Sequence, residues 1–204
     1  MNEIDANRLK KVFNAAGETA AAAAGRFAER ADTEGLVAVA YARYDSPIGG
    51  GLVAATDRGI VAVALPNRSS DEFVDELAAA ISPRVLELPQ RLDAARRELD
   101  EYFDGTRQRF DLPIDWRMVR SPFANRVLRE TARVPFGATA TYGELAARVG
   151  SPRAHRAAGS ALGRNPIPIV VPCHRVLRAG GLIGQYGGGA EMKEWLLRME
   201  GAVG

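Results

Sequence analysis

The chain has 204 residues, 47% of them hydrophobic and 25% charged, with 21 glycines and 11 prolines. This is ordinary globular usage, which excludes a disordered tail, a collagen-like fibre and a coiled-coil rod and leaves room for one large domain or two small ones. The net charge of +2 hides a division: residues 1–115 carry 14 Lys and Arg against 20 Asp and Glu, whereas residues 116–204 carry 13 against 5, and twelve of those 13 cations are Arg. Guanidinium groups fork onto phosphate oxygens, so the second half is the part expected to meet a polyanion.

Residues 1–35 read as a helical arm, with Leu9, Val12, Phe13 and Ala16 at helical spacing. Glu18 and Arg26 break its apolar run, so it lacks the centre of a secretory signal, and no segment reaches the roughly 18 uncharged apolar residues of a membrane helix. A cytoplasmic protein is expected, in agreement with a single cysteine that cannot close an internal disulfide. From Leu36 to Leu65 the pattern turns to β. Runs at Leu36–Tyr41, Gly51–Ala55 and Gly59–Leu65, separated by Ser46-Pro47 and Asp57-Arg58-Gly59 turns, predict a three-stranded antiparallel meander. A helix capped by Ser70 follows towards Ile81. Another spans Arg91 to Phe103 and ends at Asp104-Gly105.

The Pro113-containing stretch from Asp111 to Trp116 is the expected boundary, dividing an α/β domain (36–115) from a mainly helical one (116–204). The fold class is therefore α+β. In the second domain Ser121-Pro122 opens a helix from Phe123 to Ala132, and Thr141 with Glu144 forms a capping box for a helix through Val149. After a turn at Gly150-Ser151-Pro152, a further helix to Leu162 carries Arg153 and Arg156, with Arg164 just beyond it. This is a helix-turn-helix candidate.

Chemistry concentrates in Asn165–Lys193. Cys173 stands between Pro172 and His174, with Arg175 next and a glycine-rich loop after it. Prolines that fix the backbone and nearby positive charge favour the thiolate, the reactive form of cysteine. Adjacent residues of an extended chain point to opposite faces, so Cys173 and His174 are badly placed for direct contact, and a bridging water is the alternative. The same placement argues against a Cys-His protease, because the other histidine, His155, belongs to the second helix of the helix-turn-helix.

In the order of these motifs the chain resembles the O6-alkylguanine-DNA alkyltransferases, the DNA-repair methyltransferases of the bacterial Ogt and C-terminal Ada type. The resemblance is carried by PCHRV at Pro172–Val176, RNP at Arg164–Pro166, GQYGGG at Gly184–Gly189, KEWLL at Lys193–Leu197 and DSPIG at Asp45–Gly49, and it covers residues 36 to 201. It implies a single-turnover transfer of an alkyl group from O6-alkylguanine, and from O4-alkylthymine, in double-stranded DNA to Cys173, with base flipping. It further implies that His174 deprotonates Cys173 through water, Glu200 orients His174, and Asn165 braces the active-site turn. Tyr142 would donate a proton to the guanine or contact a phosphate. Val176, Tyr186, Gly187 and Gly188 would line the base pocket. Arg156 would be the finger that replaces the flipped base, with Arg153, His155, Gly159, Arg164 and Arg175 also towards DNA. Gly187 stands where many relatives have Ser, leaving only backbone contacts there. The small residues Ala154, Ala157, Ala158, Gly159 and Ala161 would let the helix approach the minor groove. Little sequence preference and strong salt dependence are expected.

No cofactor, metal or membrane enters this reading, and residues 1–115 contain no Cys or His for a zinc site. A monomer in solution is expected, with cooperative assembly on DNA left open. The alternative is a helix-turn-helix protein that senses lesions or regulates without transfer. The retained cysteine argues against the sensor.

Overall fold

The computed structural model describes residues 22–203, so most of the expected arm lies outside the described residues. Its described part is a helix, α1, over residues 22–33. Ala28 and Ala31 are buried, Arg91 pairs with Asp32 at 3.2 Å, and Gln90 donates to Glu29 at 3.1 Å.

The expected meander is present as β1 (Val39–Tyr44), β2 (Gly51–Thr56) and β3 (Gly59–Ala64), each antiparallel to the next. A fourth strand, β4 (Val85–Glu87), pairs parallel with β1, giving the order β3-β2-β1-β4 and a mixed sheet instead of a purely antiparallel one. Three residues are too few for an alternating pattern. The open edge of β1 recruits them: Ala38 and Val39 donate to the Arg84 carbonyl at 3.0 and 3.1 Å, and Leu88 donates to Tyr41 at 2.9 Å.

Alternation along the strands separates two buried faces. Val39, Leu52, Ala54 and Val61 meet Phe73 and Leu77 of α2 (Ser70–Ala80). On the opposite face Ala40, Ala42, Tyr44, Val53 and Val63 join one core with α3 (Asp93–Phe103) and the C-terminal helices. Two starts differ from expectation. Ser69, not Ser70, is the N-cap of α2 and makes no side-chain cap bond, and a single 3-10 turn (Pro89–Leu92) delays α3 to Asp93.

The segment expected as a boundary is not a loose linker. Ile60 donates to Pro113 and Asp115 donates back to Ile60, both at 2.8 Å, laying Ile114 alongside β3. Gly59 makes this approach possible: its φ is +127°, and a Cβ there would lie 2.1 Å from the Pro113 carbonyl oxygen. Buried Asp115 then accepts from the Thr56 hydroxyl at 2.6 Å and from the Arg117 backbone N–H at 3.1 Å, and pairs with Arg117 Nε 2.5 Å away.

Beyond it, α4 (Pro122–Thr131) starts as predicted, with Ser121 Oγ accepting from Ala124 at 3.3 Å. Both bonds of the Thr141–Glu144 capping box are made at the start of α5 (Tyr142–Arg148), at 3.2 and 2.6 Å. The next helix, α6 (His155–Leu162), begins three residues later than expected because Ser151–Ala154 closes a turn first. Two short parallel strands, β5 (Ala140–Thr141) and β6 (Val176–Leu177), tie the start of α5 to the chain leaving Cys173, and α7 (Ala190–Met199) closes the fold. The whole is α+β as expected. Among the described residues no helix is long and apolar enough to cross a membrane.

Candidate active site

The chain enters the site from the edge of the sheet, where Val63 of β3 donates to the Pro166 carbonyl at 2.8 Å. From Asn165 to Cys173 it is held by one side chain. Asn165 Oδ1 accepts from Ile167 at 3.0 Å, and Nδ2 donates to the Val171 carbonyl at 2.8 Å and to Cys173 Sγ at 3.2 Å. Tight turns close Val170 onto Pro168 and Cys173 onto Val171. Fully buried Ile169 between them has φ +72°, a conformation that costs a β-branched residue about 1–3 kcal/mol and persists because its surroundings over-determine it.

The path delivers Cys173, 8% exposed, into a 3-10 turn (Cys173–Arg175) instead of the extended chain assumed from the sequence. Strand alternation therefore does not apply, yet sulfur and imidazole still have separate partners. His174 Nε2 lies 2.9 Å from Glu200 Oε1 and 3.4 Å from the Tyr102 hydroxyl, which itself donates to Glu200 Oε1 at 2.5 Å. Burial and the nearby cations hold His174 below its ordinary value, outweighing Glu200, so it is neutral near pH 7. For Glu200, burial opposes the charge, but hydrogen bonds from His174 and Arg175 prevail and bring the carboxyl down to about 2. An ionised Glu200 accepts only, so Nε2 carries the imidazole proton and Nδ1 bears the free lone pair. His174 Nδ1 is buried and has no hydrogen-bond partner among the described residues.

Arg175 corrects an expectation. Its guanidinium does not face DNA: it is 5% exposed, donates to both Glu200 oxygens at 2.8 and 2.9 Å, and donates to the Val134 carbonyl at 2.6 Å. Nor do His174 and Arg175 supply the positive potential at the sulfur. Burial pushes the Cys173 thiol up, and the groups that pull it down are the Asn165 amide, the Lys193 ammonium and the backbone N–H groups of Cys173 and His174. Lys193 is fully buried, donates to the Val176 carbonyl at 2.5 Å, and is itself brought down to about 8 by burial.

Cys173 opens onto a cleft of about 1090 Å³, lined also by Tyr142, His155, Arg156, Gly159, Arg164, Arg178, Tyr186 and Gly187. The β5–β6 pairing brings Tyr142 here, and Gly184 leaves room for it, since a Cβ at that position would stand 2.7 Å from the Tyr142 hydroxyl. Burial and the cysteine raise the Tyr142 pKa, against Arg178. Tyr186 reaches the cleft with its hydroxyl buried and without a partner among the described residues. Val176, expected in the pocket wall, is fully buried and does not line the cleft, and Gly188 packs against Met192 and Tyr186.

On α6 the exposed positions are His155, Arg156, Ala157 and Ser160, with Arg153 before the helix and Arg164 after it. Ala158 and Ala161 are buried in the core, so they do not form part of a small-residue outer face. Sequence reasoning missed Tyr102, Arg178 and the electrostatic part of Lys193. The one available signal was that Lys193 is the single lysine among the C-terminal arginines.

Two family models fit the chain: 6-O-methylguanine DNA methyltransferase, ribonuclease-like domain, over residues 39–116, and 6-O-methylguanine DNA methyltransferase, DNA binding domain, over residues 122–202. A methylated-DNA–protein-cysteine methyltransferase of Mycolicibacterium paratuberculosis is 39% identical over 162 residues, covering 79% of this chain and 92% of the relative. The constitutive methylated-DNA–protein-cysteine methyltransferase of Bacillus subtilis is 36% identical, with 78% and 94% covered. Among solved structures, that of Mycobacterium tuberculosis OGT in complex with DNA is similar at a TM-score of 0.70 and 34% identity, covering 80% of this chain and 93% of that one.

Proposed function

The chain belongs to the 6-O-methylguanine DNA methyltransferase family, and from that premise we propose that it repairs duplex DNA by moving an alkyl group from the O6 of guanine to Cys173, where it remains as a thioether. The observation that carries the assignment is the opening of Cys173 onto a basic cleft beside α6, with its sulfur held by Asn165 and the neighbouring imidazole presenting an unpartnered Nδ1.

The chemistry follows from these groups. Ionised Glu200 fixes the proton on Nε2, so Nδ1 takes the thiol proton through a bridging water. Asn165 and Lys193 stabilise the thiolate against the cost of burial. The sulfur lone pair attacks the alkyl carbon, the S–C bond forms and the C–O6 bond breaks, and its electron pair leaves with the guanine. A proton from the Tyr142 hydroxyl neutralises the departing ring; Tyr142 then recovers one from solvent as the His174 imidazolium releases the thiol proton to it, so the protons balance. The product is a neutral base and a thioether that nothing in the site reverses, so each molecule acts once.

Base extrusion costs a few kcal/mol, offset by Arg156 entering the stack and by phosphate contacts from Arg153, Arg164 and His155. Tyr186 and the 187–189 backbone would hold the flipped base. Residues 36–115 act in this reading as the domain that supports the site, residues 116–204 as the DNA-binding and transfer domain, and residues 1–35 as an appended arm. The family models, which divide between residues 116 and 122, support that division. A sacrificial thiol needs a reducing compartment, which supports action in the bacterial cytosol.

Duplex DNA bearing O6-methylguanine is expected to add one methyl mass to Cys173 at a one-to-one limit, read by intact-protein and peptide mass spectrometry. Clean DNA binding without a mass change would instead identify a lesion sensor.

A further inference from the structure

The loop from Ile183 to Gly188 borders the cleft without helix or strand structure of its own. Gly189 donates to the Tyr186 carbonyl at 3.0 Å, which closes only a local turn. Among the described residues one hydrogen bond reaches this loop from another element: Asn67 Nδ2 donates to the Gly187 carbonyl at 2.8 Å. Asn67 lies 120 residues earlier, on the turn that leaves β3, and that turn is braced by Arg68 donating to Leu65 at 3.0 Å. Tyr186 anchors the loop on one side by packing against the core, but nothing lies within 4 Å of the place where a Gly187 Cβ would stand, so at Gly187 itself the bond from Asn67 has no side-chain packing beside it.

Asn67 and Gly187 also line a second pocket of about 270 Å³, together with Leu65, Pro168 and Tyr186. Cys173 lines this pocket as well as the large cleft, so the residue borders both spaces. The Asn67–Gly187 bond therefore joins two parts of the wall of the smaller one.

We propose that Asn67 is a positioning residue that sets the height of the 183–188 loop beside Cys173, and through it the size of alkyl group the site accepts. The inference rests on the reading of Cys173 as the acceptor. A methyl group fills little space and depends on the closed loop for alignment with the sulfur, because reacting atoms must be held near 3–3.5 Å. A larger substituent occupies the second pocket itself and depends less on the strap.

The test uses the full chain and two variants, Asn67→Asp, which keeps the shape but removes the donor, and Asn67→Ala. Single-turnover rates are measured by intact mass on one duplex carrying either O6-methylguanine or O6-benzylguanine, with melting temperatures alongside. Loss of the bond is expected to slow methyl transfer by about threefold to tenfold. Benzyl transfer should change less, so that the benzyl-to-methyl rate ratio rises at least about threefold in both variants. A merely structural role would lower both rates together. An unchanged or falling ratio overturns the proposal, while a wild-type protein that alkylates Cys173 with neither substrate overturns the underlying reading instead.

Discussion

Four hydrogen bonds converge on the Glu200 carboxylate: one from His174, two from Arg175 and one from Tyr102. The group is 4% exposed, so its charge is tolerated because both oxygens accept and the Arg175 guanidinium pairs with it, three of the four bonds falling on Oε1. The carboxyl is held at about 2, below its ordinary value of 4.5, so its ionised form favours the folded state. Because the folded value lies below the unfolded one, this contribution is complete above about pH 4.5 and disappears as pH falls through 2. Glu200→Gln is accordingly expected to melt at a lower temperature than wild type at pH 7, with the gap narrowing between pH 4.5 and 2 in thermal melts followed by circular dichroism. Alkyl transfer at pH 7 should slow by about tenfold or more, since the imidazole loses the group that fixes its tautomer. At this scale the sequence was readable where residues are contiguous: Asn165, Cys173 and His174 stand in one recognisable run. Glu200 was readable only through the order of the motifs, because a lone glutamate near a chain end reads as surface charge. Tyr102 and Asn67 carry no local mark at all, since they meet the site from 72 and 120 residues away. Arg175 misled in the opposite direction: an arginine in a basic half suggests DNA, but the fold spends it inside.

Elements whose ends are set by local chemistry were legible, and those set by partners were not. The Ser121 cap and the Thr141–Glu144 box depend on neighbours three residues away, and both are formed. β4 depends on the free edge of β1, which no period in three residues can announce. The start of α6 depends on a turn at Ser151–Ala154 that competes with helix at Pro152. That turn places Arg156 in the first turn of α6, exposed and on the wall of the cleft that holds Cys173. Arg156→Ala should therefore slow repair of O6-methylguanine in duplex DNA by about tenfold or more while leaving the rate with free O6-benzylguanine base within about twofold, because only the duplex requires a base to be displaced. Equal losses with both substrates would place Arg156 in the chemistry or in folding instead of in the stack.

Across the whole molecule, two family models describe the chain but one core runs through it: Val63 and Leu65 of the sheet region share a buried cluster with Ile167, Ile169 and Cys173. The stretch expected as a domain boundary is stitched to β3, with Asp115 taking hydrogen bonds from Thr56 and Arg117 in a buried position. Asp115→Ala leaves those donors without an acceptor and is expected to destabilise the protein by about 2–4 kcal/mol. Denaturant unfolding should show this as a lower midpoint in one transition, with tryptophan fluorescence and circular dichroism coinciding. The proline and charge pattern gave the location of this seam but not its tightness, since the bonds that close it join residues some 55 positions apart. The position of Glu200 has a further consequence for the unfolded molecule. The carboxylate that settles the imidazole and neutralises Arg175 reaches them from 26 and 25 positions along the chain, so a chain that displays its cysteine before folding lacks the means to arm it. Reactivity is thereby tied to a completed fold and withheld from a stray thiol.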